Sequence, residues 1–162
     1  MLFFKKKDKN SKTVLVAPCD GKTVALDKLS DVAFSYLGVG CAVNVDSLKG
    51  KVDIVAPVSG KLVAAYPTKH AYGIQTSNGI EVLVHIGINT VNLNGEGFDS
   101  SLKQGDKVNQ GEVLATIDLD KIRKHKVATD VIIVITDNEH REGAINLLAK
   151  AAVKVNQPLF EI

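Results

Sequence analysis

The sequence predicts an all-β domain, an antiparallel β-sandwich or flattened barrel with duplicated half-motifs and one or two short helical turns. Two observations carry this prediction. Short segments rich in β-branched residues are separated by turns marked with glycine and proline, as in sandwiches and barrels. A turn followed by a strand also occurs twice, once from Ala17 and again from Ala56.

The duplicated motif reads Ala17-Pro-Cys-Asp-Gly21-Lys22 in its first copy and Ala56-Pro-Val-Ser-Gly60-Lys61 in its second. Each copy is a Pro-x-x-Gly turn that enters a strand. Because a solenoid needs at least about three repeats, two copies indicate a duplicated half-motif. Further along the chain, Gly105–Leu114 has two glycine-marked turns around another short strand.

A hairpin is predicted in the middle of the chain. The dipeptide Asn78-Gly79 joins two runs of residues, 68–77 and 79–91, that are both rich in apolar side chains. Asn-Gly between such runs predicts a two-residue type I′ turn. That turn fixes the pairing of the two strands, and a slip of one residue would move every side chain to the other face.

The predicted register brings two histidines together. Tyr72 is expected opposite His85, and Gly87 opposite His70. The histidines are then diagonal neighbours, with Cα atoms about 7–8 Å apart, and Gly87 leaves space beside both rings. The shared face also carries Thr68, Ile74 and Leu83, and the opposite face, expected in the core, carries Val82, Val84, Ile86 and Ile88.

Two converging histidines beside a threonine and a glycine predict a chemical site, because a polar ring in an apolar strand is costly without a partner. A neutral imidazole, with a pKa near about 6.5, can be a nucleophile, a base or a metal ligand. The arrangement of His70 and His85 alone leaves these three chemistries open.

Helical segments are expected to be minor. Asp118 is predicted to cap a short helical turn that ends near His125, and Asn138–Lys150 is predicted as a second helical segment that Gly143 weakens. His125 and His140 fall in these polar segments with no motif around them. Both are therefore predicted to be surface residues.

The length and composition predict one domain over residues 13–162, since 45% apolar residues in a chain of 162 can form a sizeable core. Residues 1–12 are predicted as a flexible basic tail, because several lysines are concentrated there. Tryptophan is absent and aromatic residues make up 5% of the chain, which disfavours base stacking and a nucleic-acid partner.

The sequence also predicts a cytoplasmic protein. Lys5 interrupts the early apolar stretch, so no signal peptide is expected. Cys19 and Cys41 lack CxxC spacing and suggest no disulfide framework, in keeping with a reducing compartment. The apolar run Val131–Ile135 is far too short to span a bilayer.

Residues 79–91 resemble the phosphorylation-site motif of the glucose-type IIA components of the bacterial sugar phosphotransferase system. The resemblance continues in Leu93-Asn94-Gly95-Glu96-Gly97-Phe98, Pro67-Thr68-Lys69-His70-Ala71, Ala56-Pro57-Val58-Ser59-Gly60 and Gly105-Asp106-Lys107-Val108. It runs from about Val16 to Thr136, and it returns in the last residues of the chain.

The resemblance implies a phosphoryl relay that needs no cofactor and supports sugar uptake with phosphorylation. His85 matches the histidine whose tele nitrogen accepts a phosphoryl group from the phosphohistidine of the carrier HPr. The group then passes to a cysteine of the IIB domain of a sugar permease. His70 matches the second histidine, which donates a hydrogen bond to the phosphoryl group, and Thr68 matches the threonine that orients it.

The same resemblance implies that the membrane is reached only through the permease, which selects the sugar. Some relatives also regulate other transporters or enzymes. The predicted partner surface comprises Val39, Cys41, Ile86, Gly87 and Asn89.

Two positions depart from the family pattern, because Val39 and Asn89 stand where relatives commonly carry aspartate. Both departures remove negative charge near the expected site. Val39, between Gly38 and Gly40, can extend an apolar rim for partner docking or can be the buried valine of an ordinary turn.

A zinc hydrolase is an alternative reading, with His70 and His85 as ligands and Glu96 or Asp99 completing the set. Catalytic zinc usually takes about three protein ligands, and neither HxH nor HExxH occurs. Adventitious zinc binding by the two histidines remains open.

A swinging-arm carrier is the other alternative, because short strands punctuated by glycine also suit lipoyl or biotinyl modules. Such a module presents a lysine at a hairpin tip. Asp27-Lys28 has suitable residues, but it does not lie between two convincing strands.

Overall fold

A computed structural model describes residues 12–162, which form fourteen strands, two short α-helices and two 3-10 turns. The strands are β1 (Val14–Val16), β2 (Gly21–Ala25), β3 (Val39–Asn44), β4 (Lys51–Val55), β5 (Gly60–Ala65), β6 (Ala71–Gln75), β7 (Glu81–Ile86), β8 (Phe98–Asp99), β9 (Lys107–Val108), β10 (Val113–Asp118), β11 (Val131–Ile135), β12 (Asn146–Leu147), β13 (Ala152–Val153) and β14 (Pro158–Glu161). The helices are α1 (Phe34–Leu37) and α2 (Leu119–Arg123), and the 3-10 turns are Leu26–Lys28 and Thr90–Leu93. The predicted basic tail lies outside the described residues, apart from Lys12.

The strands form three antiparallel sheets. The largest has the order β13-β2-β3-β11-β7-β6-β5-β9, and two three-stranded sheets have the orders β4-β10-β8 and β1-β14-β12. Within residues 12–162 the sheets do not close into a barrel. The predicted all-β sandwich with short helical turns is confirmed. No helix in this part of the chain is long and apolar enough to cross a membrane.

The eight-stranded sheet is apolar on both faces near its centre, and β11 shows this most clearly. Val131, Ile133 and Ile135 join the main core that the smaller sheets cover. Ile132 and Val134 join a smaller cluster on the other face, together with Phe34. A strand buried on both faces reads as a continuous apolar run, which explains the sequence of β11.

The duplicated motif forms a reciprocal pair of backbone contacts. The Val16 amide donates to the Pro57 carbonyl at 2.9 Å, and the Val55 amide donates to the Pro18 carbonyl at 2.9 Å. The turn of each copy therefore holds the strand that leads into the other copy. This exchange gives the predicted duplication a structural basis.

The glycine of each copy begins its strand where neighbouring backbone is very close. A Cβ atom at Gly21 would collide with the Asn44 carbonyl, and a Cβ atom at Gly60 would collide with the Gln75 carbonyl. The motif therefore requires glycine at both places because another strand occupies the space.

One of the two predicted helical segments is present. The Asp118 carboxylate caps α2 by accepting a hydrogen bond from the Lys121 amide at 3.2 Å. The prediction of a helix over Asn138–Lys150 was wrong. Turns that begin at Asp137 occupy the first part of this segment, and the following residues pair with β14 as strand β12.

The predicted hairpin is present, but its register was wrong by one residue. Thr76 and Ile80 close the loop, and the Gly79 amide donates to the Thr76 carbonyl at 3.0 Å. The loop therefore has three residues, with Gly79 in the left-handed conformation at φ +88°. The Thr76 hydroxyl stabilises this turn by accepting a hydrogen bond from the Ile80 amide at 3.0 Å.

The shifted register pairs Ala71 with His85 and Tyr72 with Val84. Tyr72 and Ile74, predicted on the face of the histidines, instead lie in the main core. Burial of these two large side chains is the physical reason for the shift, since a slip would exchange the faces.

The predicted core face of β7 is confirmed for Val82, Val84 and Ile86, which are buried in the main core. Ile88 is also buried, but it packs in the smaller cluster. The backbone turns at Gly87, whose φ is +76°, and this turn directs Ile88 to the other side.

Candidate active site

His85 lies near the end of β7, half-buried, with its ring fixed by one backbone contact. Its Nδ1 atom is 2.7 Å from the Gly87 carbonyl oxygen. A carbonyl oxygen only accepts hydrogen bonds, so Nδ1 must carry a proton in this contact. The neutral ring then has its lone pair on Nε2, where a nucleophile or a metal ligand needs it.

Gly87 has a different role from the one that the sequence predicted. A Cβ atom there would collide with the Thr90 methyl group and would lie 2.9 Å from the Ala128 carbonyl, so the position does not leave space beside the rings. Its left-handed backbone, at φ +76°, instead places its carbonyl against the His85 ring.

His70 comes just before β6, at the end of a tight turn that includes Lys69 in the left-handed conformation. The side chain is 1% exposed, and its Nδ1 atom is 2.7 Å from the Thr68 hydroxyl oxygen. A hydroxyl can donate or accept, so this contact allows either tautomer of His70. The His70 carbonyl accepts a hydrogen bond from the Ile86 amide at 2.7 Å.

Four rings form a row through the site. The His70 and His85 rings have centroids 5.0 Å apart and lie at 82° to each other. Phe34 packs against His85 with centroids 4.9 Å apart, and Tyr66 packs against His70 at 5.4 Å. Neither Phe34 nor Tyr66 is predicted as a site residue from the sequence, although Tyr66 directly precedes the Pro67–Ala71 motif.

Burial keeps both histidines neutral at physiological pH. Burial, helped by the neighbouring His85, lowers the pKa of His70 to about 4. Burial also lowers the pKa of His85, against the opposing effects of the Gly87 carbonyl and the Asp31 carboxylate. The two rings therefore lie side by side without repulsion between charges, and the Nε2 lone pair of His85 is available.

The zinc alternative gains no third ligand from the structure. Residues 12–162 contain no group of three or more histidine, cysteine, aspartate or glutamate side chains arranged to hold a metal. Glu96 pairs with His125 at 2.9 Å, and Asp99 lines another cavity, beside Lys51. His125 is on the surface as predicted, whereas His140 is half-buried.

The swinging-arm alternative also loses its support. Lys28 lies in the 3-10 turn Leu26–Lys28 and not at a hairpin tip. This turn follows strand β2 and is followed in the chain by helix α1, so two strands do not present this lysine as a lipoyl or biotinyl module would.

The predicted partner surface needs correction. Cys41 is 3% exposed and Ile86 is 1% exposed, so neither side chain can contact a partner, and Gly87 is buried as well. Asn89 is exposed, with φ +61°. Val39 is half-buried and forms the first residue of β3, so the reading of an ordinary turn was wrong.

An exposed apolar rim stands beside the site. Tyr36 is 85% exposed, and Val32 and Leu37 are also exposed. They belong to the segment around α1 that carries Phe34, whose ring contacts His85. Exposed large apolar side chains beside a site are typical of interaction surfaces, which makes this rim a candidate for partner docking.

The chain is similar to known sugar-transport components. Residues 13–141 match the family described as phosphoenolpyruvate-dependent sugar phosphotransferase system, EIIA 1. The glucose-specific EIIA component of Mycoplasma capricolum is 46% identical over 131 residues, which cover 80% of this chain and 82% of that protein. The glucose-specific EIIA component of Bacillus cereus is 34% identical over 154 residues, which cover 95% and 92%.

A longer relative and a solved structure extend the comparison. The glucosamine-specific EIICBA component of Bacillus subtilis is 38% identical over 133 residues, which are 82% of this chain and 21% of that protein. The structure of glucose permease IIA from Mycoplasma capricolum matches with a TM-score of 0.84 at 39% identity, covering 99% of both chains. The chain therefore belongs to the EIIA 1 family of the phosphoenolpyruvate-dependent sugar phosphotransferase system.

Proposed function

We propose that this protein is a cytoplasmic phosphoryl carrier that accepts a phosphoryl group from phospho-HPr on Nε2 of His85. It then donates the group to a cysteine in the IIB domain of a glucose-type permease, which supports sugar uptake with phosphorylation. One observation carries the proposal most directly. The Gly87 carbonyl holds the Nδ1 proton of His85, so the lone pair on Nε2 is free beside His70.

The transfer needs little covalent chemistry from the protein. The Nε2 lone pair of His85 forms a bond to phosphorus, while the bond between phosphorus and the donor's nitrogen breaks and its electron pair returns to the donor ring. The His85 ring gains positive charge, which the Gly87 carbonyl stabilises through Nδ1–H. Onward transfer repeats the displacement, with a cysteine thiolate as the attacking group.

His70 and Thr68 serve the phosphoryl oxygens in this proposal. If the Thr68 hydroxyl donates to Nδ1 of His70, the opposite nitrogen of that ring carries a proton and can donate to a phosphoryl oxygen. Such a preorganised donor stabilises charge that builds up in the transition state. The pKa of about 4 keeps the His70 ring neutral at physiological pH before transfer.

We assign glucose because similar proteins such as the one from Mycoplasma capricolum are glucose-specific by name. Glucosamine is the competing assignment, because the similar protein of Bacillus subtilis is glucosamine-specific. In the EIICBA relatives the matching segment is part of a longer chain, as expected if an EIIA unit works next to a IIB unit. We extend this relationship to the present chain, with the permease as its route to the membrane.

The test is phosphoryl transfer from phosphoenolpyruvate, with enzyme I and HPr supplied, followed by peptide mapping. We expect an acid-labile, base-stable phosphate on the peptide that contains His85. His85→Ala should abolish labelling, and the exposed His125→Ala should serve as a matched control with normal labelling. Normal labelling of the His85 variant, or no labelling of the wild type by phospho-HPr, would overturn the proposal.

A further inference from the structure

Thr90 is a fully buried polar side chain next to the site, and the phosphoryl chemistry described above does not use it. It begins the 3-10 turn Thr90–Leu93 and is 0% exposed. Its hydroxyl donates to the Ile86 carbonyl at 2.6 Å. A buried carbonyl that loses its hydrogen-bond donor costs free energy. The contact therefore favours the one orientation of the Ile86–Gly87 peptide unit in which the Ile86 carbonyl faces Thr90.

Ile86 connects this contact to both histidines. Its amide donates to the His70 carbonyl at 2.7 Å, and its carbonyl accepts from Thr90. Both backbone polar groups of the residue that follows His85 are therefore engaged. The Ile86 amide fixes the backbone of His70, and the Thr90 hydroxyl fixes the Ile86 carbonyl.

The two peptide units that flank Gly87 are held in the same way. The Gly87 amide donates to the Asp130 carbonyl at 2.8 Å, and the Ile88 amide donates to the Ala128 carbonyl at 2.9 Å. The Gly87 carbonyl, on the same peptide unit as the Ile88 amide, then points at the His85 ring. The Thr90 methyl group fills the space where a side chain at Gly87 would lie.

We propose that Thr90 is a positioning residue that sets the tautomer of His85 through the Ile86–Gly87 peptide unit. Its hydroxyl and methyl group hold Gly87 in its left-handed conformation, and the Gly87 carbonyl then keeps the proton on Nδ1 of His85. The role in transfer rests on the proposed function, but the effect on the tautomer can be measured without any phosphoryl donor.

The competing explanation is that the Thr90 hydroxyl only satisfies a buried carbonyl at the start of a 3-10 turn. A buried threonine elsewhere separates the two explanations. The Thr76 hydroxyl also bonds backbone, accepting from the Ile80 amide, but it lies at the far end of the hairpin. Thr76→Val should lower stability without altering His85.

The experiment compares Thr90→Val, Thr90→Ser and Thr76→Val by ¹⁵N NMR of the histidine rings and by initial rates of phosphoryl acceptance. We expect Thr90→Val to give a mixture of His85 tautomers and a rate about 10–100-fold lower, because small misplacements of a reacting group cost rates of this order. Thr90→Ser restores the hydroxyl and should restore both the Nδ1–H tautomer and most of the rate.

A folded Thr90→Val variant with the wild-type tautomer and rate would overturn the proposal, as would an equal change of tautomer in Thr76→Val. If Thr90→Val does not fold, Thr90→Ala, which removes both the hydroxyl and the methyl group, is judged by the same spectra against Thr90→Ser, which lacks only the methyl group. If the wild type itself takes no phosphoryl group, the proposed function fails, and the NMR comparison still decides the role of Thr90 in positioning His85.

Discussion

His70 and His85 lie with ring centroids 5.0 Å apart although they do not pair across the sheet. Ala71 is the residue opposite His85, and His70 stands just beyond the end of β6. The two rings are also anchored differently. A carbonyl fixes the proton on Nδ1 of His85, whereas the Thr68 hydroxyl allows either tautomer of His70. This asymmetry suits a fixed nucleophile beside an adaptable donor.

The difference between the anchors predicts the effect of His70→Gln. Glutamine retains an N–H that can donate to a phosphoryl oxygen, but it cannot exchange protons between two ring nitrogens. We expect acceptance from phospho-HPr to fall by less than about tenfold and onward transfer to fall by about 100-fold or more, because proton handling contributes effects of that size. Single-turnover rates of each step measure this, and equal onward rates in both proteins would remove the proposed role of His70.

The low pKa of His70 predicts how stability depends on pH. The pKa falls from its ordinary value of 6.5 to about 4 on folding, so the unfolded chain binds the proton more tightly. Above pH 6.5 the ring is neutral in both states and contributes no pH dependence. As pH falls from 6.5 to about 4, the free energy of unfolding should fall by about 3 kcal/mol on account of this group.

Urea unfolding between pH 7 and pH 4 measures this loss, with His70→Gln as the reference that lacks the group. The wild type should lose more stability than the variant over this interval. An NMR titration in which His70 becomes protonated near its ordinary pKa would contradict the prediction directly.

The backbone conformation of Gly87 predicts that Gly87→Ala, which adds a single methyl group, lowers stability strongly. An alanine there would have φ near +76° and would collide with Thr90, whereas Gly79, at φ +88°, has no atom near its would-be Cβ. Gly79→Ala should therefore lower the free energy of unfolding by only about 1–2 kcal/mol, which is the cost of placing an alanine in the left-handed conformation. Gly87→Ala should cost about 2–3 kcal/mol more in free energy of unfolding, as strain and collision add.

Chemical denaturation of the two glycine variants provides the comparison. Phosphoryl acceptance at low temperature provides a second measurement, which should be lost in Gly87→Ala and kept in Gly79→Ala. Similar stability losses in both variants would mean that the conformation alone matters and that the contact with Thr90 is easily relieved.

The sequence predicted the meeting of the histidines but by an incorrect register. The Asn78-Gly79 dipeptide predicted a two-residue loop. The loop has three residues because the Thr76 hydroxyl accepts a hydrogen bond from the Ile80 amide and stabilises the longer turn. Tyr72 and Ile74 carry the signal for the correct register, because only the shifted register buries both side chains in the main core. The histidines still meet, since the turn before β6 brings His70 back towards β7, and no local pattern shows such a long-range approach.

The exposed surface around the two histidines was the least predictable part of the site. Ile86 lies within the motif at residues 79–91 but is buried, because alternate residues of a strand face opposite sides, and Cys41 is buried in the main core. The sequence does not indicate Phe34, because its contact with His85 depends on how α1 packs over the sheet. Spacing along the chain carries no information about such packing between distant segments.

The exposed aromatic on α1 predicts where a partner is anchored. Tyr36 is 85% exposed, two residues from Phe34, and Asn89 contributes no charge to the surface nearby. Because this surface has fewer carboxylates than the family pattern, we expect its recognition to depend more on apolar contact. Val39 is half-buried in β3 and offers little apolar surface for such contact. Because exposed aromatics often dominate binding energy, Tyr36→Ser should raise the KM for phospho-HPr by about tenfold, or about 1.4 kcal/mol, with kcat unchanged.

Tyr36→Phe keeps the ring and should retain most of the affinity, which separates apolar contact from hydrogen bonding by the hydroxyl. Asn89→Asp tests the competing electrostatic explanation, because a carboxylate at this exposed position would attract a basic partner and its benefit would disappear at high salt. If Tyr36→Ser leaves KM unchanged while Asn89→Asp lowers it strongly, charge rather than the apolar rim governs docking. If both variants behave like the wild type, neither the apolar rim at Tyr36 nor charge at position 89 governs docking, and the prediction fails.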